Sequence, residues 1–493
     1  MKEEKYVTYE AFGAVGDGIH DDFEAIIQAH EYANEQGLPV RAKDDATYYI
    51  SGKAITAVVK TPTNFGKAHF IIDDRNVSNR ATHIFHVKSD FDYYPIQIDR
   101  LEQGQRRIDI PHEGNLFVKV KNDNKRVYIR YGANANDGTP QKDYFTVDEN
   151  GNIDTLMAWQ FDEVTEALAK STDDPPISIE GGTFTHIANR TTFEERGYYR
   201  RGIRCNRSHV HFKNITHLIT GEPEPEEHYS SPYAGFLAID ECFDVRIENV
   251  LFTPHRTYHF FMENGVRNAI GTYDLHCAGA IALQLIRIGQ TVDIMDNRYW
   301  GLMGTDFCKD MLLDGCRISR FDAHQGVHNV TMRDCEFGHV KMEVIGFGEL
   351  LIERCKLHGN YFMLLRGDYG SFFKGNMTIR DSFWEAIPTN GRATFFNAHN
   401  GGTHNFGYIC EMPRNVCLEN VFIDDTAIDH ESDVFALFNR YDAYFSKEKP
   451  FPYVATKHIT LKNVQTKSGK PIQVFQDETL FEETTVTAKD SSI

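Results

Sequence analysis

The chain has 493 residues, with 52 Lys and Arg against 71 Asp and Glu, a formal net charge of −19. Duplex nucleic acid is a poor partner for that field, because neutralising phosphates takes Lys and Arg. No run reaches the ~20 apolar residues of a membrane-spanning helix, and no linker rich in Pro, Gly or Ser divides the chain.

The opening residues, Met1-Lys2-Glu3-Glu4-Lys5-Tyr6, have no apolar stretch of the signal-peptide kind. That leaves a cytoplasmic protein or a secreted one whose signal has been removed. Residues 6–12 read as a strand, and the Gly-rich residues 13–18 as a turn. Asp21 and Asp22 then cap a helix expected from about residue 21 to residue 36, with Gly37 as its stop. Ala25, Ile26, Ala29 and Ala33 form its apolar stripe.

Further along, residues 114–120, 126–130 and 144–148 look like antiparallel strands joined by Asn, Asp and Gly turns. They mark a small β-rich insertion over 93–154, between a first segment, 1–92, and a body, 155–493. The insertion is expected to shape one end of a groove or to serve as an oligomer contact.

From residue 210 onward a short motif returns: apolar, any, apolar, polar, polar, then small or apolar. It reads Val210-His211-Phe212-Lys213-Asn214-Ile215, then Val245-Arg246-Ile247-Glu248-Asn249-Val250, with later copies ending at Cys316, Cys335, Cys355, Ser382, Val421 and Val464. Cys316 to Cys335 is 19 residues, Cys335 to Cys355 is 20, and Cys355 to Ser382 is 27. A coil of about 20 residues with loop insertions is the signature of a β-solenoid. Cys316, Cys335, Cys355 and Ser382 should form an internal ladder of small residues. Nine cysteines without a CxxC pair then read as free, mostly buried thiols. A β-sandwich would need hairpin dipeptides and turn signals every 8–12 residues or so, and these are scarce.

The run from Phe12 to Ile26, with Gly13-Ala14-Val15-Gly16-Asp17-Gly18 and Asp21-Asp22, resembles the opening motif of the pectin-lyase-like parallel β-helix superfamily. Phe23 stands where that family commonly has Thr. The superfamily includes polygalacturonases and other glycoside hydrolases, polysaccharide lyases, epimerases and phage tailspikes. The resemblance implies an all-β, right-handed parallel β-helix with its N-terminal end capped by the helix, acting on a polysaccharide or oligosaccharide. No cofactor and no essential metal are expected, and homo-oligomerisation is left open.

The densest group of outward charges lies between Trp300 and Asp368. Counting back from the ladder, Thr305, His324 and Val344 each stand 11 residues before Cys316, Cys335 and Cys355. Asp306 should then stack near Gln325, and Arg366 over Gly346. Alternation puts Arg320, Asp322 and His324 on one face of their strand and Phe321 and Ala323 on the other. One wall would carry Asp306, Asp322, His324 and Arg366.

Glycoside hydrolysis takes two carboxyl groups, one to protonate the leaving oxygen and one to activate water or attack the sugar. Asp306 and Asp322, on adjacent coils, are the expected pair, with His324 tuning a carboxyl or binding a hydroxyl. Arg366, Asp368, Glu343, Lys309, Arg320, Gln325 and Trp300 are the expected substrate contacts, and Glu343 or Asp368 lies close enough to replace either carboxylate. Against the polygalacturonase pattern, Gly304-Thr305-Asp306 and Asp322 match in part. Gly346-Phe347-Gly348 has Phe where that family has His, and Arg366 lacks a Lys two residues on. Galacturonide specificity is therefore not implied.

Two other functions compete. A lyase or uronate epimerase would use His324, Lys309 or Arg366 as base and charge neutraliser. A non-catalytic glycan-binding adhesin would use the same scaffold. The strand Tyr273-Asp274-Leu275-His276 alternates too, on a coil before the cluster, and is a further candidate for lining the groove, whereas His399 and His404 lack the third ligand a zinc site needs.

Overall fold

The computed structural model of the chain describes residues 5–132, 135–192, 198–222, 229–230, 233–252, 259–263, 266–270, 273–290, 303–399, 404–440, 453–476 and 481–493. Among them, one sheet system joins 32 strands, each in parallel register with the strands one coil away. This is the parallel β-helix that the repeats imply.

A single residue turns each coil. Asn214, Asn249, Asp334, Arg354, Asp381, Asn420 and Asn463 all hold left-handed backbone, with φ from 50° to 58°. Asn and Asp tolerate that region because a short polar side chain bonds locally. These are the second polar positions of the motif. The residue after each corner (Ile215, Val250, Cys335, Cys355, Ser382, Val421, Val464) is buried. Corner side chains stack between coils: Asn249 Nδ2 donates to Asn214 Oδ1 at 2.7 Å, and Asn463 Nδ2 to Asn420 Oδ1 at 3.0 Å. Inside, Cys316, Cys335, Cys355 and Ser382 form the expected ladder, with Ser382 Oγ accepting the Cys355 N–H at 3.1 Å. All nine cysteines are free thiols.

The outward position just before the corner carries charge. In stacking order it reads Glu180, Lys213, Glu248, Ile286, Asp314, Arg333, Glu353, Arg380, Glu419, Lys462. The sign alternates except at Ile286, and the last coil then sets Lys489 beside Lys462. Lys213 meets Glu180 at 3.0 Å and Arg380 meets Glu353 at 2.5 Å. Exposed pairs of this kind add little stability each.

At the N-terminal end the helix runs Phe23–Gln36 and stops at Gly37, whose φ is 65°. Phe23, Ile26, Ala29, His30 and Ala33 are buried against the first coils. Asp22 holds the N-cap position, but its carboxylate accepts N–H bonds from Val15 at 2.6 Å and Gly16 at 3.2 Å. It ties the Gly-rich turn to the helix instead of capping it. The expected strand over 6–12 is absent. Val7 makes one bridge to Val40, and a 3-10 turn, Glu10–Phe12, follows. The chain turns there because Tyr9 goes inward, fully buried, with its hydroxyl 3.0 Å from His30 Nε2.

Burial drives the His30 imidazole down to about 3. In the unfolded chain it titrates near 6.5. The folded state therefore binds fewer protons in that window, and stability is lost as pH falls from about 6.5 towards 3. His30→Gln, which keeps a partner for Tyr9, should flatten the dependence of unfolding free energy on pH there, read by denaturant titrations at stepped pH. Burial also lowers His83, to about 3, and His86, to about 4, so part of the slope should remain.

The insertion is an antiparallel sheet ordered Tyr94–Pro95, Glu166–Ser171, Leu116–Val127, Thr139–Val147. It reaches Ser171, past the expected end at residue 154, and the coils resume at Ile177–Ile187. Its apolar face lies on the outside of the solenoid. Tyr128, Phe145 and Trp159 share a second core with Phe307, Phe347, Phe372 and Tyr408 of the coils.

Candidate active site

Two outward rows run along the helix axis on the sheet that the insertion borders. In stacking order the first reads His86, Arg204, Ala238, His276, Gly304, Asp322, Glu343, Leu364. The second, two residues further along each strand, holds Asp240, Ala278 and Asp306. Polar contacts join the rows: Arg204 Nε to Asp240 Oδ2 at 3.0 Å, His276 Nε2 to Asp306 Oδ2 at 3.8 Å, and His324 Nδ1 to Asp322 Oδ2 at 2.9 Å. Gly304, Ala238 and Ala278 between the charged residues keep the rows shallow.

Asp306 ends the strand Met303–Asp306 and is half-buried, 25% exposed at its side chain. Its Oδ1 is buried with no hydrogen-bond partner. The insertion supplies the opposite wall. Burial pushes the Tyr128 phenol well up, and the carboxylates of Asp143 and Asp306 add to this. Burial also pulls the Lys142 ammonium down against the opposing field of Asp306, and Lys142 Nζ sits 4.4 Å from the centre of the Phe307 ring.

Asp322 is different in kind. It is fully buried in the strand Arg317–Ala323. Arg320 Nη2 lies 2.8 Å from its Oδ2, and Arg366 Nη1 lies 2.6 Å from its Oδ1. Glu343 closes the group, 2.5 Å from Arg320 and 3.1 Å from Arg366. Asp368 accepts two bonds from Arg366, at 3.2 and 3.1 Å, and pairs with Arg130 of the insertion at 2.5 Å. Burial alone would push the Asp322 carboxyl up. Arg320, His324 and Arg366 outweigh it and hold the group well below the usual carboxylate range. A carboxylate so held has no proton to give.

The expected wall is thus half right in its geometry. Alternation holds: Arg320, Asp322 and His324 share one face while Phe321 and Ala323 enter the core. The side chains of Arg320, Arg366 and Glu343 are at most 8% exposed, however, and Asp322 is sealed. These four form a buried ion network rather than open substrate contacts. Lys309 is also corrected: fully buried, it pairs with buried Asp143 at 2.7 Å and donates to Leu156 O at 2.5 Å, anchoring the insertion. Gln325 is half-buried beside His324. Trp300 lies outside the described residues.

The stacking count slips by one. Thr305 pairs with Ala323, so Asp306 comes level with His324, not Gln325. Cys308 nonetheless pairs with Val327, so an extra residue bulges out between. The N–H groups of His324 and Gln325 both point at Thr305 O, at 2.9 and 3.5 Å. Likewise Val344 pairs with Leu365, so Arg366 follows Ile345 and not Gly346. Phe347 lies on another sheet, under Trp159 of the insertion.

His276 does reach the rows, whereas Asp274 is buried at 3.8 Å from His217. The loop between His399 and His404 lies outside the described residues, and His404 stacks on Tyr131. Among the described residues no three His, Cys, Asp or Glu gather as a metal site. Sequence reasoning missed Arg204, Asp240, Arg130 and Lys142. Arg204 and Asp240 carry the same coil spacing, but their loops obscure it.

No family model matches the chain, and no curated protein matches it in sequence. Among solved structures it is similar to the tailspike protein gp49 of Pseudomonas phage LKA1, with a TM-score of 0.55 at 11% identity over 97% of this chain and 84% of that one. It is also similar to the tailspike gp61 of Pseudomonas phage phi297, with a TM-score of 0.53 at 10% identity over 94% of this chain and 81% of that one. At such identities the likeness is one of fold.

Proposed function

We propose that the protein is a carbohydrate-active enzyme that hydrolyses a polysaccharide lying along the helix axis, between the coil face and the insertion. The observation that carries this is the placing of Asp306: a half-buried carboxylate with one unpartnered oxygen, in an open row that holds a second carboxylate, Asp240, two coils away. Only Ala278 separates them. Two strand spacings of about 4.8 Å put their backbones about 10 Å apart. Inverting glycosidases place their carboxyls about 6.5–9.5 Å apart, with a water between, and side chains leaning together bring this pair into that range.

In this reading Asp306 protonates the glycosidic oxygen and Asp240, beside the Arg204 guanidinium, activates water. Asp322 replaces neither. It orients His324, which stands level with Asp306, and fixes which ring nitrogen holds the proton. A screen of purified protein against polysaccharides of varied charge tests the assignment. New reducing ends without new ultraviolet absorbance are expected. An ultraviolet-absorbing unsaturated product would mean β-elimination, and no product on any substrate would leave a glycan-binding protein.

A further inference from the structure

A last copy of the coil motif stands at Val486-Thr487-Ala488-Lys489-Asp490-Ser491, and Asp490 turns its corner with φ 51°. Its strand, Thr485–Lys489, pairs in parallel with His458–Thr466 and, among the described residues, with no other strand. Thr485 donates its N–H to Lys457 O at 2.9 Å. By alternation along the strand, the N–H and C=O groups of Val486 and Ala488 point the other way, out of a free sheet edge.

The side chains are left open too. Val486 and Ala488 continue the inward columns of Ile459 and Leu461. Ile459 and Leu461 are buried, whereas every residue of Thr485–Lys489 is exposed. At the ladder position the edge carries one sign. Lys489 stands beside Lys462, where most coils set an acid against a base. Neither lysine has an ion-pair partner among the described residues, although Asp490 follows Lys489 at the corner.

These features define what fits: an extended strand with apolar side chains over Val486 and Ala488 and a carboxylate over Lys489. We infer that Thr485–Lys489 is a docking edge, which takes up an extended segment of a partner protein, patterned apolar, any, apolar, acid, as an added parallel strand. Main-chain bonds hold the segment, its apolar residues close the end of the core, and its acid relieves the contact between Lys462 and Lys489. A second copy of this chain is the poorer occupant. Its first coil has Arg41 at the ladder position, and a two-fold mate brings the same two lysines. Either adds cations to an edge that already has two, and like charges placed opposite each other destabilise a pairing. The inference does not depend on the reading of Asp306.

Fluorescence anisotropy of the full chain with a labelled peptide tests this. The probe has the sequence of the chain's own Ile177–Ile187, in which Ile177, Ile179 and Glu180 hold the required positions. Its Glu180→Lys form is the control. The parent peptide is expected to bind, more weakly as salt rises, and the control about tenfold less tightly. Lys489→Glu in the chain should invert that preference. Ala488→Pro removes one N–H from the free edge, where Pro is tolerated, and should weaken binding about tenfold or more with the urea midpoint unchanged. Four results would overturn the inference: no binding at about 1 mM peptide, equal binding of the two peptides, a preference that Lys489→Glu leaves as it was, or full affinity in Ala488→Pro. A dimer of the peptide-free chain in sedimentation, lost in Ala488→Pro, would give the edge to a second copy instead.

Discussion

Asp322→Asn is expected to destabilise the protein by about 3–5 kcal/mol, the cost of removing one partner from a buried ion network. Asn keeps the shape and deletes only the charge. Arg320 and Arg366 would then share Glu343 as their remaining buried carboxylate, since Asp368 is partly exposed and also held by Arg130. Buried guanidinium groups do not shed their protons, so the imbalance cannot relax by titration. A fall in the urea midpoint is the readout. An Asp322→Asn variant as stable as the parent would show that water reaches the network, and the description of Asp322 as sealed would be wrong. Turnover should fall as well, because His324 loses the carboxylate 2.9 Å from its Nδ1. That loss follows from misplacement of His324 and not from a missing proton donor.

Asp306→Asn should do the reverse, lowering turnover by about 10²-fold or more as expected for loss of a general acid or base while leaving the urea midpoint where it was. The side chain is 25% exposed and its nearest ionic partner, His276, is 3.8 Å away, so little packing or pairing is lost. The two substitutions together separate a group that holds the structure from a group that acts on substrate. Full turnover in a folded Asp306→Asn variant would remove the hydrolase reading from these rows. Asp240→Asn should lose activity to a similar degree; a neutral outcome there would move the second carboxyl role to Asp368, the other partly exposed acid nearby.

The solenoid was legible because its signal is local and repeated. Each corner needs one residue that accepts left-handed backbone, and the Asn or Asp before an inward small or apolar residue marks it in most copies. The capping helix was legible from Gly37 and its apolar stripe. Site depth was not. Alternation told that Asp322 faces outward from the coil, but outward is not the same as exposed when Arg320, Glu343, Arg366 and the insertion's Arg130 close over that face. Lys309 misled in the same way, its partner Asp143 lying 166 residues earlier in the chain. The register slip at Gln325 came from a bulge whose only sequence trace is Gly326, and one extra residue is enough to change which side chains stand level.

The charge ladder also bears on how such a chain can change its length. Excising the coil that carries Arg333 would bring Asp314 against Glu353, and excising the next would bring Arg333 against Arg380. Removing both together restores opposite signs across the joint. The ladder therefore works as a parity rule, in which coils are gained or lost in twos. Within the body of the solenoid the rule lapses at Ile286, where an uncharged residue separates Glu248 from Asp314, and it lapses again at the last coil, where Lys462 meets Lys489. Related chains shorter by a single coil should have lost the one that carries Glu248 or the one that carries Asp314, on either side of Ile286, since losing the Ile286 coil itself would set Glu248 against Asp314.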